Sequence, residues 1–297
     1  MKLLTITGAS GFVGKNLLTY LSNYSIDSLS RNDLNVVSND IFGDSTAIVH
    51  LAGKAHDLKK TSHPDEYYQV NFDLTKKLYN EFLKSDAKKF IFISSVKAVA
   101  DIVGDVLTED TVPNPQTHYG KSKLMAEEYI KSLPLPEGKS YYILRPCMIH
   151  GPGNKGNLNL LYQFVKKGVP YPLAAFKNKR SFLSVENLCF VIKFLLEENI
   201  QSGTYNVADD EPLSTNEVVS VIASCLNKKV KLWNVNPSLI ILLAKLGDYL
   251  KLPLNTDRLN KLTQSYIVSN NKLKKTLNFS LPTTSRHGLN VTITSFK

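Results

Sequence analysis

Residues 2–14, "KLLTITGASGFVG", run apolar for six positions, break into three glycines and resume as apolar residues at helical spacing. "KLLTIT" (2–7) reads as a short strand, and Val13, Leu17, Leu18 and Leu21 fall on one face of a following helix. Gly8, Gly11 and Gly14 lie at the junction, with Phe12 and Val13 between them. Glycine permits a tight turn, close approach of a ligand to the backbone, and tight packing of helix on strand. The helix start then offers unpaired N–H donors and the positive end of its dipole to a pyrophosphate. A glycine triplet alone is a common turn; between a strand and a helix it points to a dinucleotide. The spacing is GxxGxxG rather than GxGxxG.

The rest of the first half continues the rhythm. "SIDSLS" (25–30) and "AIVHLA" (47–52) read as strands, and "YYQVNFDLTKKLYNEFLK" (67–84) reads as one helix with Leu74, Leu78 and Phe82 four apart. "KFIFISS" (89–95) is the continuous apolar run of a strand covered on both faces, and "SYYILRP" (140–146) closes the series. Such alternation predicts an α/β fold: a doubly wound parallel sheet of the Rossmann type, occupying residues 1–150. Residues 151–297 read as a smaller, mostly helical substrate lobe. A segment near 182–208 returns to the main sheet, with "GTYNVA" (203–208) as the returning strand.

Composition narrows the function classes. The 297 residues are 43% hydrophobic and 21% charged, ordinary for a globular protein with a full core. "PSLIILLAKLGDYLKL" (237–252) is broken by Lys245 and Asp248 and is too short to span a bilayer, so a cytoplasmic protein without a membrane span is expected. The net charge of +10 suits anionic partners, but the lysines are scattered without a basic stripe interleaved with aromatics. An anionic small molecule is expected, and nucleic acid is not. Cys147, Cys189 and Cys225 lie far apart, the odd count suits a reducing compartment, and the six histidines form no ligand cluster, so no metal is expected.

"HYGKSK" (118–123) places Tyr119 and Lys123 one helical turn apart on one face. Alone, that is a solvated helix edge. Together with "TGASGFVG", "IVHLAG" (48–53), "VNFDLT" (70–75), "FIFISS" (90–95), "LRPCMIHGPG" (144–153) and "RSFLSVENL" (180–188), it makes the chain resemble an extended short-chain dehydrogenase/reductase. That group contains the nucleotide-sugar epimerases, dehydratases and reductases, and the resemblance runs over nearly the whole chain.

The resemblance implies that Tyr119 exchanges a proton with the sugar while hydride moves to or from a nicotinamide. A free phenol has a pKa of about 10, and a nearby ammonium favours its ionised form. Lys123 would supply that charge and bind the nicotinamide ribose. Ser95, rather than Ser94, would hydrogen-bond the reacting oxygen. Ala52, Gly53 and Asn71 match positions that line the cofactor. Arg180 matches an arginine that grips a sugar diphosphate, and Asn157 and Leu158 match a segment at the nucleotide half of the substrate. Lys54 and His56 stand in a loop that would reach the sugar. Dehydratases carry an Asp–Glu pair after the catalytic hydroxyl; Val96 and Lys97 stand there, which excludes dehydration. His150 replaces a common Tyr before "GPG".

The implied activity is hydride transfer at C4 of a nucleotide-diphosphate sugar, with UDP as the implied nucleotide, in bacterial surface-polysaccharide synthesis. A homodimer is the family expectation. The cofactor is read at "SLSRND" (28–33), where NAD folds place an acid and NADP folds an arginine. Ser30 and Arg31 suit the 2′-phosphate of NADP, while Asp33 keeps NAD as the alternative. NADPH suits reduction of a 4-keto sugar, and an NAD-dependent 4-epimerase is the alternative. A non-catalytic NAD(P)-binding regulator on the same fold is a remote third, since it would have no need of all three of Ser95, Tyr119 and Lys123.

Overall fold

The computed structural model describes residues 3–38, 40–54, 63–154, 156–250, 255–278 and 280–296. Its ten strands in chain order are β1 (Leu3–Thr7), β2 (Ser25–Leu29), β3 (Ala47–His50), β4 (Lys89–Ile93), β5 (Val106–Leu107), β6 (Ser140–Pro146), β7 (Met148–His150), β8 (Phe182–Ser184), β9 (Gly203–Val207) and β10 (Ile267–Val268). Six of them form one sheet in the order β2-β1-β3-β4-β6-β9, every pair parallel. Chain direction across the sheet reverses between β1 and β3, so the crevice where ligands bind in such sheets opens beyond Thr7 and His50.

Side chains of one strand alternate between two cores, as strand geometry requires. On β4, Phe90 and Phe92 pack with Leu78, Tyr79, Phe82, Ala126 and Ile130, whereas Ile91 and Ile93 pack with Leu17, Leu188 and Ile192. The first group lies under α4 (Leu74–Lys84) and α5 (His118–Ser132), and the second under α1 (Phe12–Tyr20) and α7 (Val185–Glu197). Burial on both faces explains why "KFIFI" is apolar throughout. A separate cluster, including Leu158, Tyr162, Val219, Ile222, Ile240, Ala244 and Ile293, forms the core of the helical second half. There α6 (Asn157–Lys166), α8 (Thr215–Cys225), α9 (Pro237–Leu250), α10 (Thr256–Thr263) and α12 (Ser285–Thr294) meet.

One element departs from its sequence reading. The helix expected over 67–84 is split: a short helix Pro64–Tyr68 passes through a wide turn, Gln69–Asp73, before α4 begins. Asn71 sits in that turn, fully buried, and its carbonyl accepts the Thr75 hydroxyl at 2.8 Å. A polar side chain bonded into the helix ladder is an ordinary cause of such a local change. No described helix is long and apolar enough to cross a membrane.

Candidate active site

The glycine loop is shaped by contacts that leave no room for side chains. Gly8 has φ +74, and a Cβ there would lie 2.6 Å from the Ala52 nitrogen; one on Gly14 would lie 2.4 Å from the Gly8 carbonyl. The loop thus lies directly against the segment after β3, and α1 directly on the loop. Gly11 is the N-cap of α1 and no side chain caps the helix, so the first-turn amides are left for an anion. A dinucleotide pyrophosphate fits this cradle. Val13 joins the main core, while the Phe12 ring lies against Gly151 and Gly153 of the second half.

Below the cradle runs a hydrogen-bond chain whose direction can be worked out. The Ala52 N–H donates to Thr7 Oγ1 at 3.1 Å, and Thr7 Oγ1 lies 2.7 Å from His50 Nδ1. Thr75 spends its own proton on the Asn71 carbonyl, so His50 Nε2–H donates to Thr75 Oγ1 at 2.9 Å. Kept neutral by burial, His50 carries its proton on Nε2 and accepts the Thr7 hydroxyl proton at Nδ1. Burial, reinforced by the charge of Lys123, depresses its pKa to about 3. The Asn71 side chain is also committed. Its Oδ1 accepts the Lys54 N–H at 2.8 Å, and its Nδ2 donates to the Lys54 carbonyl at 3.1 Å and to Ser122 Oγ at 3.0 Å. Asn71 fixes the backbone beyond Gly53 and ties it to α5.

Helix α5 starts at Thr117, whose hydroxyl caps the Gly120 N–H, and its buried face carries Lys123 and Glu127, with Tyr119 one turn earlier. Lys123 is 4% exposed; its Nζ donates to the Ile93 carbonyl at 2.8 Å and lies 3.1 Å from where a Cβ on Gly53 would be. Burial lowers its pKa to about 8, against the raising effect of Glu127. Tyr119 is half-buried, edge-on to Tyr67. Its pKa is raised by burial, opposed by a hydrogen bond with Ser95, and raised further by Tyr67. Ser94 and Ser95 part company here. Ser94 donates to Glu127 at 2.5 Å, and Arg145 grips the same carboxylate at 2.6–3.1 Å. Ser95 caps the next turn, accepting the Lys97 N–H at 3.2 Å, on the side of Tyr119. Ser95, Tyr119, Lys123, Gly53 and Asn71 thus converge at the mouth of the crevice.

In the second half of the chain, the Arg180 guanidinium is mostly buried and donates to the Lys261 carbonyl. Burial lowers the Lys97 pKa; Asp101 opposes this, while the charges of Arg180 and Lys261 add to it, so three cations stand near one another. The Tyr266 ring lies under Lys97, 4.5 Å from Nζ, and its hydroxyl donates to the Ala100 carbonyl at 2.7 Å. Arg180 is therefore coupled to the turn that bears Ser95. Asn157 is exposed at the start of α6, whereas the Leu158 side chain fills the second core, leaving only its backbone at the helix start. Lys54 is paired with Glu66, and His56 lies outside the described residues. His150 is buried, with Nδ1 at 2.8 Å from Thr292 Oγ1 of α12.

Ser30 and Arg31 are exposed where β2 ends beside β1, since Leu29 pairs with Thr7. The Asp33 carboxylate accepts the Ser30 N–H at 2.7 Å in a reciprocal cap, and hydrogen bonding to Ser30 holds its pKa low. The His50 chain, the Glu127–Arg145 pair and the Lys97–Tyr266 stack escaped the sequence reading. Only Glu127 had a signal, one further turn along the face of Tyr119 and Lys123.

Residues 4–208 match the model of the NAD dependent epimerase/dehydratase family. The chain belongs to that family. A UDP-glucose 4-epimerase of Vibrio cholerae is 31% identical over 99% of this chain and 95% of its own length. An N-acetyl-alpha-D-glucosaminyl-diphospho-ditrans,octacis-undecaprenol 4-epimerase of Escherichia coli O157:H7 is 31% identical over 91% of this chain and 84% of its own. Among solved structures, dTDP-4-dehydrorhamnose reductase of Bacillus anthracis str. Ames, in complex with NADP, superposes with a TM-score of 0.75 at 22% identity, covering 100% of both chains. The family member described here is an NAD(P)-binding enzyme of the extended short-chain dehydrogenase/reductase type, in the group of nucleotide-sugar 4-epimerases and reductases.

Proposed function

We propose that this family member reduces the 4-keto group of a UDP-linked sugar with NADPH, on the cytoplasmic side of surface-polysaccharide synthesis. The observation that carries the choice of cofactor is the Ser30–Asp33 cap. It occupies the only carboxylate of "SLSRND" with a backbone N–H and leaves Ser30 and Arg31 exposed beside the glycine loop. An arginine there suits a 2′-phosphate, and the cap turns one oxygen of the only acid in the segment back onto the chain.

The bound cofactor supplies the hydride. The chain does the rest: the amides at the start of α1 hold the pyrophosphate, and Ser95 Oγ and Tyr119 Oη hold the sugar oxygen. Tyr119 Oη gives up the proton as that oxygen gains charge. A phenol whose pKa is raised stays protonated at neutral pH, the form a proton donor needs. The Lys123 ammonium then stabilises the phenolate that remains. Arg180, with Lys97 and Lys261 near it, binds the diphosphate.

A second reading, NAD-dependent 4-epimerisation, is favoured by the two 4-epimerases that match this chain at 31% identity. The deciding assay follows NADPH and NADH absorbance with a UDP-4-keto-6-deoxy-hexosamine and, separately, C4 inversion of UDP-N-acetylglucosamine. Reduction with NADPH consumption supports the first reading. Inversion without net consumption replaces it with the second and leaves the roles of Ser95, Tyr119 and Lys123 standing.

A further inference from the structure

Helix α9 is built the wrong way round for a surface helix. It turns only Ile240, Ala244 and Gly247 fully inward, and it exposes Leu239, Ile241, Leu242, Leu243, Leu246, Tyr249 and Leu250. At 100° per residue, all of these but Ile241 fall within roughly 120° of the helix circumference, on one flank of the buried stripe. Leu242 is 63% exposed and Tyr249 85%. A stripe of this kind is far from the scattered single apolar residues normal on a surface. The helix is about 21 Å long at 1.5 Å per residue, too short to cross a bilayer.

The segment leading into α9, "KKVKLWN" (228–234), is exposed throughout. Lys228, Lys229 and Lys231 line a cleft of about 220 Å³ with Val165, Gly168 and Val169. Trp233, the chain's single tryptophan, is 58% exposed beside them. No described carboxylate pairs with these three lysines or with Lys245 on α9. The one carboxylate of the region, Asp248, accepts hydrogen bonds from Thr256 at the start of α10.

We infer that residues 228–250 form a docking surface for an anionic membrane, with α9 lying in the plane of the interface. Apolar side chains on a short helix, lysines at its flank and a tryptophan beside it are the components of interfacial binding. The charge decides the occupant. Among the described residues, Lys228 and Lys231 donate only to the backbone carbonyls of Lys166 and Gly168, so a second copy of this chain packed symmetrically on α9 would bring lysines that no described carboxylate neutralises towards each other, in a protein already at +10. Anionic headgroups neutralise them. The inference does not depend on the choice between reduction and epimerisation.

The test is co-sedimentation of the full chain with phosphatidylglycerol–phosphatidylcholine vesicles and with phosphatidylcholine alone, reading Trp233 emission in parallel. Binding to the anionic vesicles, weakened by salt, with a blue shift of Trp233, is expected. The Leu242→Glu/Leu246→Glu variant should bind at least roughly tenfold more weakly, and Lys228→Gln, Lys229→Gln and Lys231→Gln should each cost roughly fivefold. Turnover of a soluble nucleotide sugar should stay unchanged in all of them. Absence of both co-sedimentation and the blue shift overturns the inference. So does a wild-type dimer that ignores vesicles and that Leu242→Glu/Leu246→Glu converts to monomer, since α9 would then cover a second copy.

Discussion

Ser94 gives its hydroxyl proton to Glu127 across 2.5 Å in the interior, while Ser95, next in the chain, meets Tyr119. Substitution should separate the two. Ser94→Ala leaves a buried carboxylate one donor short and should cost about 1–3 kcal/mol of stability with turnover largely kept. Ser95→Ala should lose roughly a hundredfold in turnover with little change in melting temperature. Denaturant titration beside steady-state rates checks both, and equal loss of turnover would remove the distinction.

Tyr119→Phe keeps the ring and removes the proton, so turnover should fall roughly a hundredfold or more while the cofactor still binds. Cofactor titration by fluorescence, alongside the rate, is the measurement.

Lys123 should set the alkaline limb of activity. Its folded pKa of about 8 lies below the roughly 10.5 of an unfolded lysine, so kcat/KM of the free enzyme should decline above pH 8 as the ammonium is lost. The stability term runs the other way. Between the two values the unfolded chain binds more protons, so the contribution of Lys123 to stability rises with pH across that window. Lys123→Arg keeps its charge, and whatever activity it retains should show no limb near pH 8.

His50 makes the fold acid-sensitive. Its folded pKa of about 3 lies below the ordinary histidine value of about 6.5, so the unfolded state takes up the proton first. Stability from this group is present above that ordinary value and drains as pH falls towards 3, by up to about 1.4 kcal/mol per pH unit. His50→Gln should be less stable at neutral pH yet show a shallower loss between pH 6 and 4 in thermal scans. An unchanged slope would place the acid sensitivity elsewhere.

The two arginines should divide the ligands between them. Arg180→Ala should weaken UDP binding by about 2–3 kcal/mol, the scale of a charge-assisted hydrogen bond, with cofactor affinity kept. Arg31→Ala should weaken NADPH and spare both NADH and UDP. Calorimetric titration of each ligand into each variant gives the answer, and Arg31→Ala with unaltered NADPH affinity would return the cofactor to NAD.

What lay open in the sequence was whatever depends on neighbours along the chain. Gly8, Gly11 and Gly14 announce a turn between strand and helix, apolar runs without alternation announce strands buried on both faces, and Tyr119 and Lys123 share a face because an α-helix repeats every 3.6 residues. What only the tertiary structure decided depends on residues far apart in sequence. Ser94 is distinguished from Ser95 by Glu127, 33 positions away, and Asn71 is a clamp because Lys54 comes back to it across 17. His50 is neutral because Thr7 and Thr75 close on it inside the core, and the helix through Asn71 widens where that residue is buried. Asp33 is a cap only once Ser30 has turned its amide onto it. Propensity and periodicity are local properties that a chain carries unfolded. Burial, and the hydrogen bonds and pKa shifts that burial enforces, exist only after distant segments have excluded water from between them.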